Sequence, residues 1–270
     1  MREKLNYSAK KSLGQHFLTA RGTVNDIIKT AEIREGKITV EIGPGKGALT
    51  SALLSAGAVV IAVEKDKRMV DLLKEKFARE LKSGQLVLAN EDILNFDFKR
   101  HDIKTGGYNL VANIPYYITG EILRLFIGGE IKPSRAVLLV QKEVAERIAA
   151  RDGKESILSV SIKLYGLPKY IKKVPARYFS PPPKVDSAIL LIENIKESFA
   201  NKREQERFFE IMKTGFGHKR KMLMGNLKTI FAEESLRKAF GGCGLNEKTR
   251  AENITTADWK CLSRELNINA

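Results

Sequence analysis

Apolar and polar positions alternate along the first two thirds of the chain in two distinct rhythms. Ile38 to Ile42 is a β-branched run that stops at Gly43, after which Leu49, Leu53 and Leu54 recur at helical spacing until Gly57. Residues 58–63 form a second apolar run. Asp66 stands where it can cap a helix in which Met69, Leu72, Leu73, Phe77 and Leu81 recur at three and four. Further strand-like runs fall at 86–88, 110–112, 136–140, 171–174 and 188–192, and 143–150 reads as helix. Strands alternating with helices predict an α/β domain: a mostly parallel, seven-stranded sheet with helices on both faces.

The rhythm changes after Glu193. No strand-like alternation follows, and residues 204–214, 219–231, 234–240 and 256–266 all carry helical patterns. The expected division is therefore an α/β domain over 1–195, with an N-terminal arm and helix over 1–36, and a small all-helical domain over 196–270. Pro181, Pro182 and Pro183 form the one rigid, extended element.

Composition narrows the function. The 270 residues are 43% apolar, an ordinary globular share. Lys and Arg number 47 against 32 Asp and Glu, a net charge of +15. Such an excess predicts a polyanionic partner, whether RNA, DNA or an anionic membrane. Cys243 and Cys261 lie eighteen residues apart with no Cys-x-x-Cys, so neither a disulfide scaffold nor a metal site is expected, and both thiols read as reduced. The most apolar stretch, 52–63, is broken by Ser55 and Gly57 and is too short to span a bilayer. Residues 1–11 lack the apolar run of a secretory signal, so a cytoplasmic protein is expected.

Two segments carry candidate chemistry. The first is Glu41-Ile42-Gly43-Pro44-Gly45-Lys46-Gly47, between the first strand and a helix. Its glycines permit a sharp turn and close approach to a ligand, and the helix start beyond offers free N–H groups. The spacing is not that of the dinucleotide fingerprint, whose third glycine comes one residue later, and no phosphate-gripping Gly-Lys-Ser/Thr follows. Glu64 ends the second strand, twenty-one residues after Gly43, where a carboxylate can accept both hydroxyls of a ribose. Asp92, after the third strand, can accept from an exocyclic amine. Ligands of open parallel sheets sit at these carboxyl ends.

The second segment, Asn113-Ile114-Pro115-Tyr116, follows the fourth strand. It is similar to the Asn/Asp-Pro-Pro-Tyr motif of enzymes that methylate exocyclic amines of bases. Such an amine is a poor nucleophile because its lone pair is delocalised into the ring. The Asn113 side-chain oxygen and the Ile114 carbonyl offer two acceptors that would favour a pyramidal nitrogen. Pro115 stiffens the turn, and Tyr116 offers a ring for stacking, worth about 1–3 kcal/mol per base.

Together with Leu13-Gly14-Gln15-His16-Phe17-Leu18 and Phe179-Ser180-Pro181-Pro182-Pro183-Lys184-Val185-Asp186-Ser187, these segments resemble the S-adenosylmethionine-dependent ribosomal RNA adenine dimethyltransferases, most closely the small-subunit type. The resemblance runs from about residue 10 to 195, and the tail with Phe216-Gly217-His218-Lys219-Arg220-Lys221 looks like the family's second domain. It implies a class I methyltransferase fold, S-adenosylmethionine as methyl donor with S-adenosylhomocysteine as product, and N6,N6-dimethylation of two adjacent adenosines in the terminal hairpin loop of small-subunit RNA. It also implies a monomer that docks on the small ribosomal subunit, with no metal and no membrane.

Residue by residue, the resemblance implies that Gln15, His16, Leu18, Gly43, Gly45, Glu64, Asp92 and Asn113 contact the cofactor. Asn113, Pro115, Tyr116 and Phe179 would form the catalytic site, with Tyr116 and Phe179 clamping the target adenine. His16 stands where many relatives have Asn, which implies altered cofactor contacts. From Ser156 to Val185 six Lys or Arg occur with no Asp or Glu, leading into the proline segment. Lys172, Lys173 and Lys184, with Lys219, Arg220 and Lys221 at an expected helix start, are the candidate RNA-backbone contacts. Two other readings share these motifs: a large-subunit adenine methyltransferase of the macrolide-resistance type, and an assembly or transcription factor that binds nucleic acid on the same fold.

Overall fold

The computed structural model describes residues 7–10 and 13–268. The expected N-terminal arm falls partly outside these residues, as do the last two positions of the expected helical domain. All seven expected strands form, β2 (Ile38–Ile42), β3 (Val59–Val63), β4 (Leu86–Ala89), β5 (Tyr108–Asn113), β6 (Arg135–Gln141), β7 (Leu167–Val174) and β9 (Ser187–Glu193). They make one sheet in the order β4-β3-β2-β5-β6-β9-β7. Pairing is parallel from β4 to β6, and β9 runs antiparallel to both of its neighbours. Both faces are covered. Val60, Ala62, Val137, Leu139, Ile189 and Leu191 bury one face against Val24 and Ile27 of α1 (Arg21–Ala31) and Leu49 and Leu53 of α2 (Ala48–Ser55). The intervening Ile61, Val63, Leu138, Val140, Leu190 and Ile192 are equally buried on the other face. Strands buried on both sides read as continuous apolar runs, which is why they stand out in the sequence.

Four local features depart from expectation. The helix capped by Asp66, whose side chain accepts from the Arg68 amide, is α3 (Lys67–Lys76) and stops at Phe77. Phe77 has φ −116° and ψ 35°, and a separate α4 (Ala78–Ser83) follows. The buried Phe77 ring packs so closely under Gly47 that a Cβ there would lie 2.7 Å from it, and this contact takes the Phe77 backbone out of the helix. A two-residue ladder between β1 (Phe17–Leu18) and β8 (Phe179–Ser180) pairs Leu18 with Phe179, joining segments too distant in sequence for any local pattern to reveal. The helices α5 (Thr119–Phe126) and α7 (Ile157–Lys163) were not foreseen, whereas α6 (Lys142–Ala149) was.

The chain separates into two compact units, one of residues up to 145 with 166–196, the other of 146–165 with 197 onward. One division falls near 196, and 146–165, expected to lie within the α/β domain, groups instead with the C-terminal helices. Within that unit Gln205 donates to the Tyr165 hydroxyl (2.6 Å), Phe199 meets Tyr165 edge-on, and the Glu155 amide donates to the Glu252 carbonyl. Its helices are α8 (Lys202–Gly215), α9 (Leu223–Leu227), α10 (Glu233–Gly242) and α11 (Thr256–Ile268). Helix α9 is far shorter than the expected 219–231. Lys219, Arg220 and Lys221 lie in the turn before it, not at a helix start, because the buried Asn226 amide holds that turn by donating to the Gly215 and His218 carbonyls. Cys243 and Cys261 are not reduced thiols: they form a disulfide (S–S 2.07 Å) that ties the end of α10 to α11. The two helices pack together, with Leu236 and Phe240 of α10 and Trp259 and Leu262 of α11 all buried, and this brings the thiols together across the eighteen-residue spacing.

Candidate active site

Sheet register sets the site. Ile42 pairs with Val63 and with Ala112, and Val63 pairs with Ala89, so the carboxyl ends of β2, β3, β4 and β5 lie level. Gly43 and Glu64 directly after their strands, Asp92 three residues past β4 and Asn113 at the end of β5 therefore emerge at one edge, where the strand order reverses. There they line a cavity of about 350 Å³ with Gln15, His16, Gly45, Pro115 and Tyr116. Nine of the expected catalytic and cofactor residues thus meet in one cavity.

The glycine loop forms its floor. Gly43 (φ +63°) donates to the Val63 carbonyl (3.0 Å), and Gly45 (φ +53°) donates to the Glu64 carboxylate (3.1 Å). Both are left-handed conformations that favour glycine. A Cβ on Gly45 would stand 2.9 Å from the Phe17 ring. Glu64 is buried, and its second oxygen accepts from the Asp66 amide (2.8 Å). Burial raises its pKa, against which the two backbone N–H groups act. Asp92 is held below the usual carboxylate range by its hydrogen bond with Lys65 (2.7 Å), and its other oxygen accepts from the Leu94 amide.

The roof is a bonded set of three segments. Asn113 donates its side-chain N–H to the His16 carbonyl (2.8 Å), which leaves the amide oxygen as an acceptor. The His16 ring bonds through Nδ1 to the Pro181 carbonyl (2.7 Å) and stacks on Tyr116 with centroids 6.0 Å apart. Tyr116 shares a hydrogen bond with the Ser187 hydroxyl (2.7 Å), and burial raises its phenol pKa. Gln15 donates to Asp66 (3.1 Å), a carboxylate driven down to about 2, first of all by the hydrogen bond from Arg68.

Two expected members stand elsewhere. Leu18 and Phe179, paired across the β1–β8 ladder, belong to the apolar core, and Phe179 is 4% exposed. The ladder register turns the Phe179 ring inward, so the expected clamp of Tyr116 and Phe179 is not assembled in the cavity. Its other aromatic linings are Phe17 and Tyr117, which sequence reasoning passed over. Lys65, Glu91 and Glu121 were also missed. Adjacency was the available signal for Phe17, Lys65, Glu91 and Tyr117, which lie at or within two residues of a strand end or beside the Asn113–Tyr116 turn; Glu121, in the first turn of α5, gave none. The expected RNA contacts do not line the cavity. Lys172 pairs with Asp26 and Lys173 with Asp186 at exposed sites, where such pairs contribute little and exchange readily. Lys184 is exposed.

The family described as ribosomal RNA adenine dimethylase matches residues 6–267. A relative from Dehalococcoides mccartyi strain CBDB1, ribosomal RNA small subunit methyltransferase A, is 38% identical over all of this chain and 92% of its own. A protein of the same description from Mycoplasmopsis pulmonis is 39% identical over 96% of this chain and 99% of its own. Among solved structures, a dimethyladenosine transferase from Plasmodium falciparum superposes with a TM-score of 0.79 at 28% identity, covering 94% of this chain and 98% of its own. The 23S rRNA methyltransferase ErmE superposes at 0.75 and 25% identity, covering 93% of this chain and 99% of its own.

Proposed function

The chain belongs to the ribosomal RNA adenine dimethylase family, and from that membership we propose that it dimethylates N6 of two adjacent adenosines in the terminal hairpin loop of small-subunit ribosomal RNA. It is a class I methyltransferase, and its methyl donor is S-adenosylmethionine. The observation that carries the reading is Asn113, which lines the same cavity as Gly43, Gly45 and Glu64 and whose side-chain N–H is taken up by the His16 carbonyl, leaving the amide oxygen to accept.

The residues present fit that donor. Gly43 and Gly45 leave backbone, with no side chain, on the cavity floor, and the Glu64 carboxylate retains lone pairs beyond its two backbone bonds. Glu64 would accept from ribose hydroxyls, Asp92 from the adenine amine, and Gln15 and His16 would close the near side. When bound, S-adenosylmethionine supplies a sulfonium methyl already activated for in-line displacement, so the protein contributes alignment and exclusion of water rather than a strong base.

Asn113 accepts a hydrogen bond from the target amine and aims its lone pair. Tyr116, stiffened by Pro115 and anchored on Ser187, stacks the base and offsets the few kcal/mol of extruding it. The proton displaced from nitrogen leaves to solvent. The second methyl requires the monomethylated amine to rotate or rebind. Lys172, Lys173, Lys184, Lys219, Arg220 and Lys221 would hold the RNA backbone. Among the described residues no group of acidic, His and Cys side chains is arranged to hold a metal, and no helix is long and apolar enough to cross a membrane. We place the protein in the cytoplasm, acting as a monomer on the small subunit.

Transfer from labelled S-adenosylmethionine to small subunits lacking the modification, followed by nucleoside mapping, tests the reading. Dimethyladenosine at the adjacent pair is expected. Label only in large-subunit RNA would favour the resistance-type enzyme, and subunit binding without label would favour an assembly factor.

A further inference from the structure

Tyr117 has no part in the roles above, yet it lines the same cavity as Asn113 and Tyr116. It is 64% exposed, the most exposed of the large apolar residues described. One edge of its ring lies against Gly14: a Cβ there would stand 3.3 Å from both Cδ1 and Cε1. Gly14 itself takes φ +58°, so both its conformation and its contact call for glycine. The ring is thus backed by main chain on one side and open on the other. Its Cα is one peptide, about 3.8 Å, from that of Tyr116. A ring that served only to cover Gly14 would gain by burial. A ring held beside the target-base residue and left open presents a face that any base can stack on.

We propose that Tyr117 is the stacking platform for the nucleotide next to the one being methylated, a second base subsite at the cavity rim. This rests on the reading that the substrate is a pair of adjacent adenosines. While one adenine occupies the cavity against Tyr116, its neighbour stacks on Tyr117, and the two exchange places between rounds. Tyr117 is a positioning residue, since it holds the flanking base rather than the reacting amine.

The test uses full-length Y117A and Y117F with small subunits lacking the modification. Y117A is expected to raise the KM for subunits roughly 5- to 150-fold, the range that loss of one base stack implies. It should leave cofactor affinity by calorimetry within about twofold, and shift methylation toward one adenosine of the pair. Y117F should restore both KM and the even distribution. An unchanged KM and distribution in Y117A overturns the proposal. So does an equal loss of cofactor and subunit binding, which would make Tyr117 a support for the Gly14 segment. If the wild type transfers no methyl to small subunits, the functional reading itself falls. Quenching of 2-aminopurine placed beside adenine in a dinucleotide then decides Tyr117 separately: loss of quenching in Y117A and its recovery in Y117F support the platform, and equal quenching in all three proteins overturns it.

Discussion

The side-chain amide of Asn113 donates to the backbone carbonyl of His16 at 2.8 Å, across 97 positions of sequence. The bond occupies the Asn113 N–H and leaves its amide oxygen to accept, and it ties the N-terminal segment to the Asn113 turn. N113A removes the acceptor and should lower kcat by about 10²–10³, the range for losing one preorganised polar partner. N113D keeps the shape but sets a carboxylate oxygen against the His16 carbonyl. It should fall as far as N113A, with subunit affinity retained in both. Single-turnover transfer on saturated subunits checks this, and an N113D rate near wild type would show that the His16 bond is dispensable.

Gly45 combines a left-handed backbone with a contact that admits no side chain. G45A should cost about 1–3 kcal/mol of local strain and push Phe17 off the loop. Cofactor affinity should fall roughly tenfold or more, 1.4 kcal/mol being one factor of ten. Gly84 supplies the comparison: its φ is +79°, but nothing lies within 4 Å of an added Cβ and it does not line the cavity. G84A should lose a comparable amount of stability while binding cofactor as the wild type does. Calorimetric titration of both variants separates strain from ligand contact.

The parts of the site that were legible in the sequence are those carried by strand ends. The runs ending at Ile42, Val63 and Ala112 are buried on both faces, so their limits show in the apolar pattern, and the register then brings Gly43, Glu64 and Asn113 level without further information. What stayed hidden depends on pairing at a distance. Nothing local to Phe179 tells that its partner is Leu18, and only that pairing turns its ring from the cavity into the core. Phe77 fits the helical rhythm and leaves it because of a contact with Gly47. Lys172 and Lys173 stand in a stretch without acids, yet Asp26 and Asp186, outside or at the edge of that stretch, reach them in space.

The Cys243–Cys261 bond closes an eighteen-residue span of the helical unit. On loop-closure grounds a crosslink of that length contributes about 3 kcal/mol. C261S, or reduction of the wild type, should lower stability by up to that amount, read from the midpoint of urea unfolding. The intact unreduced protein should be two hydrogens lighter than the reduced one by mass spectrometry. Equal masses would show the thiols to be free.

Lys219, Arg220 and Lys221 lie in the turn held by Asn226, exposed and close together in sequence. If all three meet RNA phosphates, their joint replacement by Ala should reduce the slope of log affinity against log salt by about 2 to 3, at 0.7–0.9 per contact. The loss should be uniform across RNA sequences, because phosphate contacts carry no base information. Filter binding of subunit RNA at several salt concentrations measures it, and an unchanged slope removes these residues from the interface.

Glu41 is 1% exposed on β2, and its Oε2 has no hydrogen-bond partner. Burial pushes its pKa up to about 8; Glu64 adds to the rise, while Thr50 and Lys76 oppose it. Between pH 4.5, its ordinary value, and about 8 the folded chain therefore holds a proton that the unfolded chain releases. Stability from this group is complete below pH 4.5 and declines as pH rises through that window. E41Q is a neutral stand-in for the protonated acid and carries no such decline. The Tm of E41Q relative to wild type should therefore climb steadily from pH 5 to about 8 and then level off. A Tm difference that stays constant over that range would place the Glu41 proton elsewhere and leave the carboxylate ionised in the core.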